Sequence, residues 1–419
     1  MYRVSTFLSR FAFSLILGTA LATLWASLAP QSYADFVELR LTDQALIGYP
    51  NPDALAPFDR TLTLAYLTGE ALMAFFILYL GKELWEALVL RHGALRGAKS
   101  VAPLVTALTA ALVPVLLYLA LSPLVGDPPL PGFGTGWPTV LAGDVTLSYV
   151  IARAVLGRGH PALRFLLLVS IADDILALLL SGLAFPVGTL DPGWLALPLA
   201  AGLGAYGLFN WLPRRLDRGN QLRPASTFMR RRLSFWPYAL AGALSWYGTQ
   251  QAGLMPALGL LPIIPAIPHA DRAFGVFAEA EEVLTDMLNH IAHLLVWPVT
   301  VILFLFALTH AGARPTALTE AGAVAAALLI GKPLGFALGG LLATRLLGRP
   351  LPAGMAPRDL VTVGAAAAAG LSVPAFALAA SLPGGALQEG ARFGLLLAAA
   401  LAPLLARLAR RGPGPAPAR

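Results

Sequence analysis

The chain has 419 residues, of which 57% are apolar and only 12% charged. Soluble domains carry about 25% charged residues. This chain therefore has too little polar surface to solvate the two or three soluble domains its length would allow, and its hydrophobicity excludes disorder. The remaining solvent is a bilayer, which a helix crosses with ~20 mostly apolar residues. Cysteine is absent, so disulfides, thiolate metal sites and a cysteine nucleophile are excluded. The net charge is +7, but the basic residues lie in short loops between apolar runs and form no face for nucleic acid.

The spacing predicts twelve spans, at about residues 11–30, 61–82, 101–122, 136–157, 163–186, 193–213, 233–251, 253–268, 286–311, 317–347, 357–382 and 389–411. The first resembles a signal peptide, but it is long enough to cross and more apolar runs follow, so it reads as span one. The eighth is short and rich in proline. With the N-terminus inside, 24 of the 29 Lys and Arg residues fall on inside segments, Lys82 among them. Arg40, Arg60, Arg314 and Arg392 fall outside and Lys332 in mid-membrane. This asymmetry implies an even number of spans with both ends inside.

Residues 1–411 read as one transmembrane unit. Its outside loop, 31–60, contains FVELRLTDQALIGY (36–49), which alternates weakly and predicts a small β-hairpin. An acidic cluster (Glu279, Glu281, Glu282 and Asp286) lies on an inside loop before span nine. The tail 412–419, GPGPAPAR, has no means of packing and is expected to be mobile.

An ionisable side chain in mid-bilayer is costly and marks a functional site by default. Four occur: Asp144 in span four, Asp173 and Asp174 in span five, and Lys332 in span ten. Asp173 and Asp174 sit in LLLVSIADDILALLL, apolar on both sides. Adjacent residues lie ~100° apart on a helix, so the two carboxylates can share a cavity. Two like charges in a low dielectric do not easily both ionise. A bound cation removes that penalty, and protons replace a departing cation, which is the minimal physics of a cation/proton exchanger. A structural salt bridge would account for one Asp paired with Lys332, but not for two.

Lys332 lies in LLIGKPLGFALGG, where Pro333 breaks a helix bond and the glycines allow close packing. It either titrates or only holds the bundle together. Gly143, before Asp144, permits an interrupted helix, and span eleven has Gly364, Gly370 and Pro374. Paired interrupted helices mark the binding site of inverted-repeat transporters. Asp144 would then face positive half-helix ends and Lys332 negative ones.

Glu70, Glu83 and Glu86 lie in or near span two. Glu83 and Glu86 either line a cation funnel or form a solvated helix end. His290 and His293 are only two ligands where a metal site needs three or four. No P-loop, GxSxG, HExxH or strand-preceded GxGxxG occurs, so ATP-driven transport and the common hydrolases lack support.

Several stretches resemble the NhaA-type sodium/proton antiporters. ALMAFFILYLGKEL (71–84) is similar to the family's span-two motif, LVPVLLYLA (112–120) to its span three, and GWPTVLAGD (136–144) to its span-four segment. IADDILA (171–177), LLIGKPLG (328–335) and LNHIAHLLVWPVTVILFLFALTHAGA (288–313) resemble its spans five, ten and nine. The resemblance implies an all-α polytopic fold of about twelve transmembrane helices. Spans 3–5 and 10–12 would form inverted repeats, with broken helices 4 and 11.

It implies Asp173 and Asp174 as the ion- and proton-binding pair, with Lys332 near Asp173 and Asp144 compensating half-helix dipoles. Ser372 and Thr146 would be supporting polar groups. It also implies a homodimer joined through the outside hairpin and placement in a bacterial inner membrane among its lipids. Two protons would enter for each Na+ extruded, with Li+ as a further cargo and no cofactor or resident metal.

The sequence departs from the family pattern in four places. Gly143 stands where the family has Thr, Met255 where it has a His linked to pH response, and Ala87 where it has a second Glu. In span eleven, Ser372 replaces Thr and Pro374 replaces Ser. A sodium-coupled organic anion symporter of related fold would want a more polar span eleven. An intramembrane aspartyl protease would want its two Asp on separate helices.

Overall fold

The computed structural model describes residues 4, 6–50, 60–125, 132–219, 224–269, 272, 273, 276–279, 286–382 and 384–411. Glu281, Glu282 and the 412–419 tail lie outside them. The chain folds as two compact units. One comprises Asp35–Gly93 and Gly182–Leu303. The other comprises Thr6–Ala34, Ala94–Ser181 and the described residues from Phe304 onward.

In chain order, α1 (Phe7–Leu28) and α2 (Pro30–Val37) lead into a three-stranded sheet of β1 (Arg40–Ala45), β2 (Tyr49–Pro50) and β3 (Arg60–Thr63). Strand order is β1-β3-β2, with both pairings antiparallel. The strand facing Arg40–Ala45 is thus the later RTLT segment and not its immediate neighbour. Thr63 then caps the next helix by accepting the Tyr66 N–H at 3.1 Å.

That helix, α3 (Leu64–Val89), opens with a π-helical turn at Leu67–Leu72. In the same unit lie α7 (Pro192–Leu216), α8 (Trp236–Gln251) and the 3-10 turns Pro256–Leu258 and Leu261–Ala266. Proline at the first turn of each 3-10 piece, and again at Pro265, withholds the donors a longer helix would need. The core of this unit gathers Tyr238, Ile263, Ile264, Ile267 and Leu288. Glu70 is buried there, and its Oε2 accepts the Ala257 N–H at 3.1 Å.

The second unit contains two runs of the same order: long helix, interrupted helix, long helix. The first is α4 (Val101–Leu124), the 3-10 segment Phe133–Val140 with α5 (Val145–Leu156), and α6 (Pro161–Ala184). The second is α10 (Leu318–Leu346), α11 (Pro357–Ala367) with α12 (Val373–Ser381), and α13 (Ala386–Arg411). Between the two runs comes α9 (Met287–His310), whose last turns belong to this unit. The central helix is α10, packed against α4, α11 and α13. It approaches α4 through glycines one turn apart. A Cβ on Gly335 would lie 2.6 Å from the Thr109 carbonyl oxygen, and one on Gly331 2.6 Å from Pro114 Cα. Small residues at this spacing let membrane helices meet at the backbone.

Among the described residues, eight helices are long and apolar enough to cross a bilayer, or nine if Phe133–Val140 and α5, bent by 56°, form one span. The other expected spans are those that do not form single long helices. α8 has 16 residues, the 253–268 segment forms 3-10 turns, and span eleven is divided into α11 and α12. Helix length alone therefore does not establish the count of twelve.

Candidate ion-binding site

The two interruptions have local causes. In the first, Asp144 adopts an extended backbone (φ −144°, ψ 115°) and becomes the N-cap of α5. Its Oδ1 accepts the Thr146 N–H at 3.0 Å, the Thr146 hydroxyl at 2.6 Å and the Leu147 N–H at 3.4 Å. In the second, α11 stops at Ala367 and α12 starts at Val373 with Pro374 in its first turn, where a missing N–H is tolerated. Ser372 instead turns both its N–H (3.1 Å) and its hydroxyl (2.6 Å) to Asp144 Oδ2. One carboxylate thus accepts from the starts of two half-helices and has five donors in all.

The interruptions cross at Gly143 and Gly370. A Cβ on Gly143 would fall on the carbonyl oxygen of Ala367, and one on Gly370 would lie 3.2 Å from the Gly143 carbonyl. The Thr that the family resemblance puts at position 143 has no room here, because the opposing backbone occupies its place. Gly364 meets α10 just as closely, since its Cβ would lie 2.8 Å from Pro333 Cα and 3.0 Å from the Lys332 carbonyl.

Beside the crossing, α6 presents Asp173 and Asp174, and α10 presents Lys332. Lys332, Asp144 and Asp174 are fully buried, and Asp173 is 2% exposed. The Lys332 ammonium donates to Asp173 Oδ2 at 2.5 Å and to the Leu141 carbonyl at 2.5 Å. Leu141 follows directly on the 3-10 segment, so the ammonium lies at that segment's negative end. Asp174 has a different partner: its Oδ2 accepts the Val145 N–H at 3.3 Å. Oδ1 of Asp173 and Oδ1 of Asp174 accept no hydrogen bond among the described residues. Asp144, Asp173, Asp174, Lys332, Ser372 and Thr146 thus come together in one place, at the backbone of both interruptions.

Glu83 and Glu86 lie in the other unit and are not solvated. Both are buried, as is Lys82 between them, 3.1 Å from Glu83 Oε1 and 3.1 Å from Glu86 Oε2. Glu83 Oε2 also accepts the Phe277 N–H at 2.7 Å. Lys82 is thus a buried member of a triad and not a loop cation, and its i,i+4 spacing to Glu86 is the sequence signal for it. Met255, at the family's His position, is buried at the start of a 3-10 turn, and Ala87 is buried in α3.

Three buried carboxylates and one lysine at two interrupted helices, within a bundle of membrane-crossing helices, describe a secondary ion transporter. The family profile described as Na+/H+ antiporter 1 matches residues 7–409. The Na(+)/H(+) antiporter NhaA of Jannaschia sp. (strain CCS1) is 47% identical over 397 residues, covering 94% of each chain. That of Desulfitobacterium hafniense (strain DSM 10664 / DCB-2) is 34% identical over 404 residues, covering 94% of this chain and 92% of that one. A solved sodium proton antiporter, MjNhaP1 from Methanocaldococcus jannaschii, covers 94% of this chain and 96% of that one with a TM-score of 0.45 at 14% identity, a likeness too distant to place any residue. The chain belongs to the NhaA-type Na+/H+ antiporter family.

Proposed function

We propose that the protein is a secondary active antiporter, and not an enzyme, which exports Na+ in exchange for external H+ and so serves sodium and pH homeostasis. The observation that carries this reading is the unequal charge at the crossing. Three carboxylates face one ammonium, and two carboxylate oxygens accept no hydrogen bond among the described residues. A cation or protons must make up the difference, and each displaces the other. Asp173 and Asp174 are the exchanging pair. Asp144, already held by five donors, acts as the fixed countercharge to two half-helix N-termini, and Lys332 as the countercharge to Leu141. Thr146 and Ser372 hold Asp144 in place.

With both Asp173 and Asp174 taking protons for one cation, each cycle moves two H+ against one Na+ and is electrogenic. An inside-negative potential then drives export at ~2.3 kcal/mol per charge per 100 mV. Li+, which presents the same charge and hardness, is a second cargo. Both termini face the cytoplasm of a bacterial inner membrane, spans 3–5 and 10–12 are inverted repeats, and the sheet serves a homodimer. Glu83 and Glu86 help draw cations inward, with Lys82 holding them in register. The test uses purified protein in liposomes with an internal pH dye. Sodium pulses should alkalinise or acidify the lumen according to the gradient, while potassium should not. Absence of any sodium-driven pH change in folded, reconstituted protein would overturn the reading.

A further inference from the structure

Four half-helix ends meet at the crossing, and three of them have a side-chain partner. The N-termini of α5 and α12 share Asp144, and the end of the 3-10 segment has Lys332 at Leu141. The fourth is the C-terminus of α11, which carries a partial negative charge. Lys332 does not serve it: its ammonium goes to Leu141 and Asp173. The Ala368 N–H turns back to Ala365 and the Ala369 N–H to Ala366, so no donor among the described residues reaches the Ala367 carbonyl. That oxygen lies against Gly143. Gly143 is midway between Leu141, tied through Lys332 to Asp173, and Val145, whose N–H goes to Asp174.

We propose that the main-chain carbonyl of Ala367 is a third protein oxygen for the transported monovalent cation, alongside Asp173 and Asp174, brought to the crossing because Gly143 has no side chain to hold it off. This rests on the antiport reading above. A buried carbonyl without a donor costs ~1–3 kcal/mol, and half-helix C-terminal ends and unwound carbonyls are the groups that coordinate Na+ in broken-helix transporters. A hard cation gains from a carbonyl oxygen, whereas a proton on a carboxylate does not need one. Ala367 therefore favours the sodium-loaded state over the protonated one, and Gly143 is the positioning residue that lets it approach.

The test replaces Ala368 by lactic acid, which turns the Ala367 carbonyl into a weaker-accepting ester carbonyl and removes the Ala368 N–H bond to Ala365, while leaving every side chain in place. In liposomes the apparent sodium affinity should fall about fivefold, the equivalent of one ordinary hydrogen bond, with the maximal rate within about twofold. The same replacement at Ala369 weakens the Ala368 carbonyl and should leave affinity unchanged. Unchanged affinity at 368, or an equal loss at 369, would overturn the proposal. If the parent protein shows no sodium-driven exchange, the antiport reading fails instead. Where ester protein does not accumulate, Gly143→Ala gives the second measurement, because its methyl displaces the Ala367 oxygen. Sodium affinity should fall while the pH at which protons halve the rate, corrected for that affinity, stays in place. Unaltered sodium affinity in folded Gly143→Ala protein would also overturn the proposal.

Discussion

Lys332→Met is the most direct test of the charge arrangement, since Met keeps the stem and removes only the ammonium. In the parent that ammonium donates to Asp173 Oδ2 and to the Leu141 carbonyl and is wholly buried. Without it Asp173 Oδ2 loses its ammonium partner, and Oδ1 accepts no hydrogen bond among the described residues. Removing one partner of a buried pair costs about 3–5 kcal/mol, and the orphaned Leu141 carbonyl adds ~1–3 kcal/mol. The two overlap, so a total of about 4–6 kcal/mol is expected. Against a marginal stability of ~5–15 kcal/mol, this should lower the melting temperature in detergent by on the order of 10 °C. Asp173→Asn combined with Lys332→Met removes both charges, and the double variant should recover several degrees relative to the sum of the single losses. A melting temperature within about 2 °C of the parent, or strictly additive losses, would refute the pairing.

Asp174→Asn keeps the shape and the Val145 contact but removes the charge, so it should abolish sodium-driven proton movement in a protein that still elutes as folded. Protons and sodium compete for the same carboxylates, so apparent sodium affinity should weaken as pH falls, by up to about tenfold per pH unit for each competing proton. The family resemblance sets Met255 where relatives would carry a pH-linked His, so no separate histidine step is expected, and currents on supported membranes check both points. Gly335→Leu should prevent accumulation of folded protein because α10 and α4 meet there, whereas Gly322→Leu, with nothing within 4 Å of its Cβ, should accumulate normally. Asp359 is buried and receives the Ala356 N–H at 2.8 Å and Arg410 at 2.8 Å. Asp359→Asn should therefore cost ~1–3 kcal/mol of thermal stability and leave exchange active.

The site residues were legible because a charge in an apolar run is expensive enough to stand out from one sequence. That cost marks Asp144, Asp173, Asp174 and Lys332 without any knowledge of contacts. Which Asp takes the lysine is a matter of a few ångströms across helices, which the residues alone do not carry and only the family resemblance points to, by setting Lys332 near Asp173. Main-chain partners were hidden for the same reason: the Leu141 carbonyl, the Val145 N–H and the Ala367 carbonyl have no residue type to betray them. Lys82 reads as a loop cation because it lies near a span end, and only packing shows it buried between Glu83 and Glu86. In the sheet, alternation located β1 but not β3, since four residues of RTLT give too short a pattern and the pairing skips over β2. Hydropathy found the apolar stretches of spans seven, eight and eleven, but proline and glycine divided two of them into pieces shorter than a crossing helix.

The arrangement separates fixed from exchangeable charge. Asp144 is saturated by donors from two helix starts, so its charge belongs to the architecture and is not available to a cation. Lys332 is likewise committed, to Leu141 and Asp173. Among the described residues Asp173 Oδ1 and Asp174 Oδ1 accept no hydrogen bond, and in the proposed site the Ala367 carbonyl is the third free acceptor. Acceptors alone cannot satisfy one another, so they need something positive from outside the chain. Protons can satisfy the carboxylates, but only a cation reaches carboxylates and carbonyl together. The Ala367 carbonyl is held by the end of α11, and the Asp pair by α6. In the proposed site, occupancy by a cation would tie α11 to α6 in a way that protonation would not, which would give the two loaded states different reasons to hold the crossing in place.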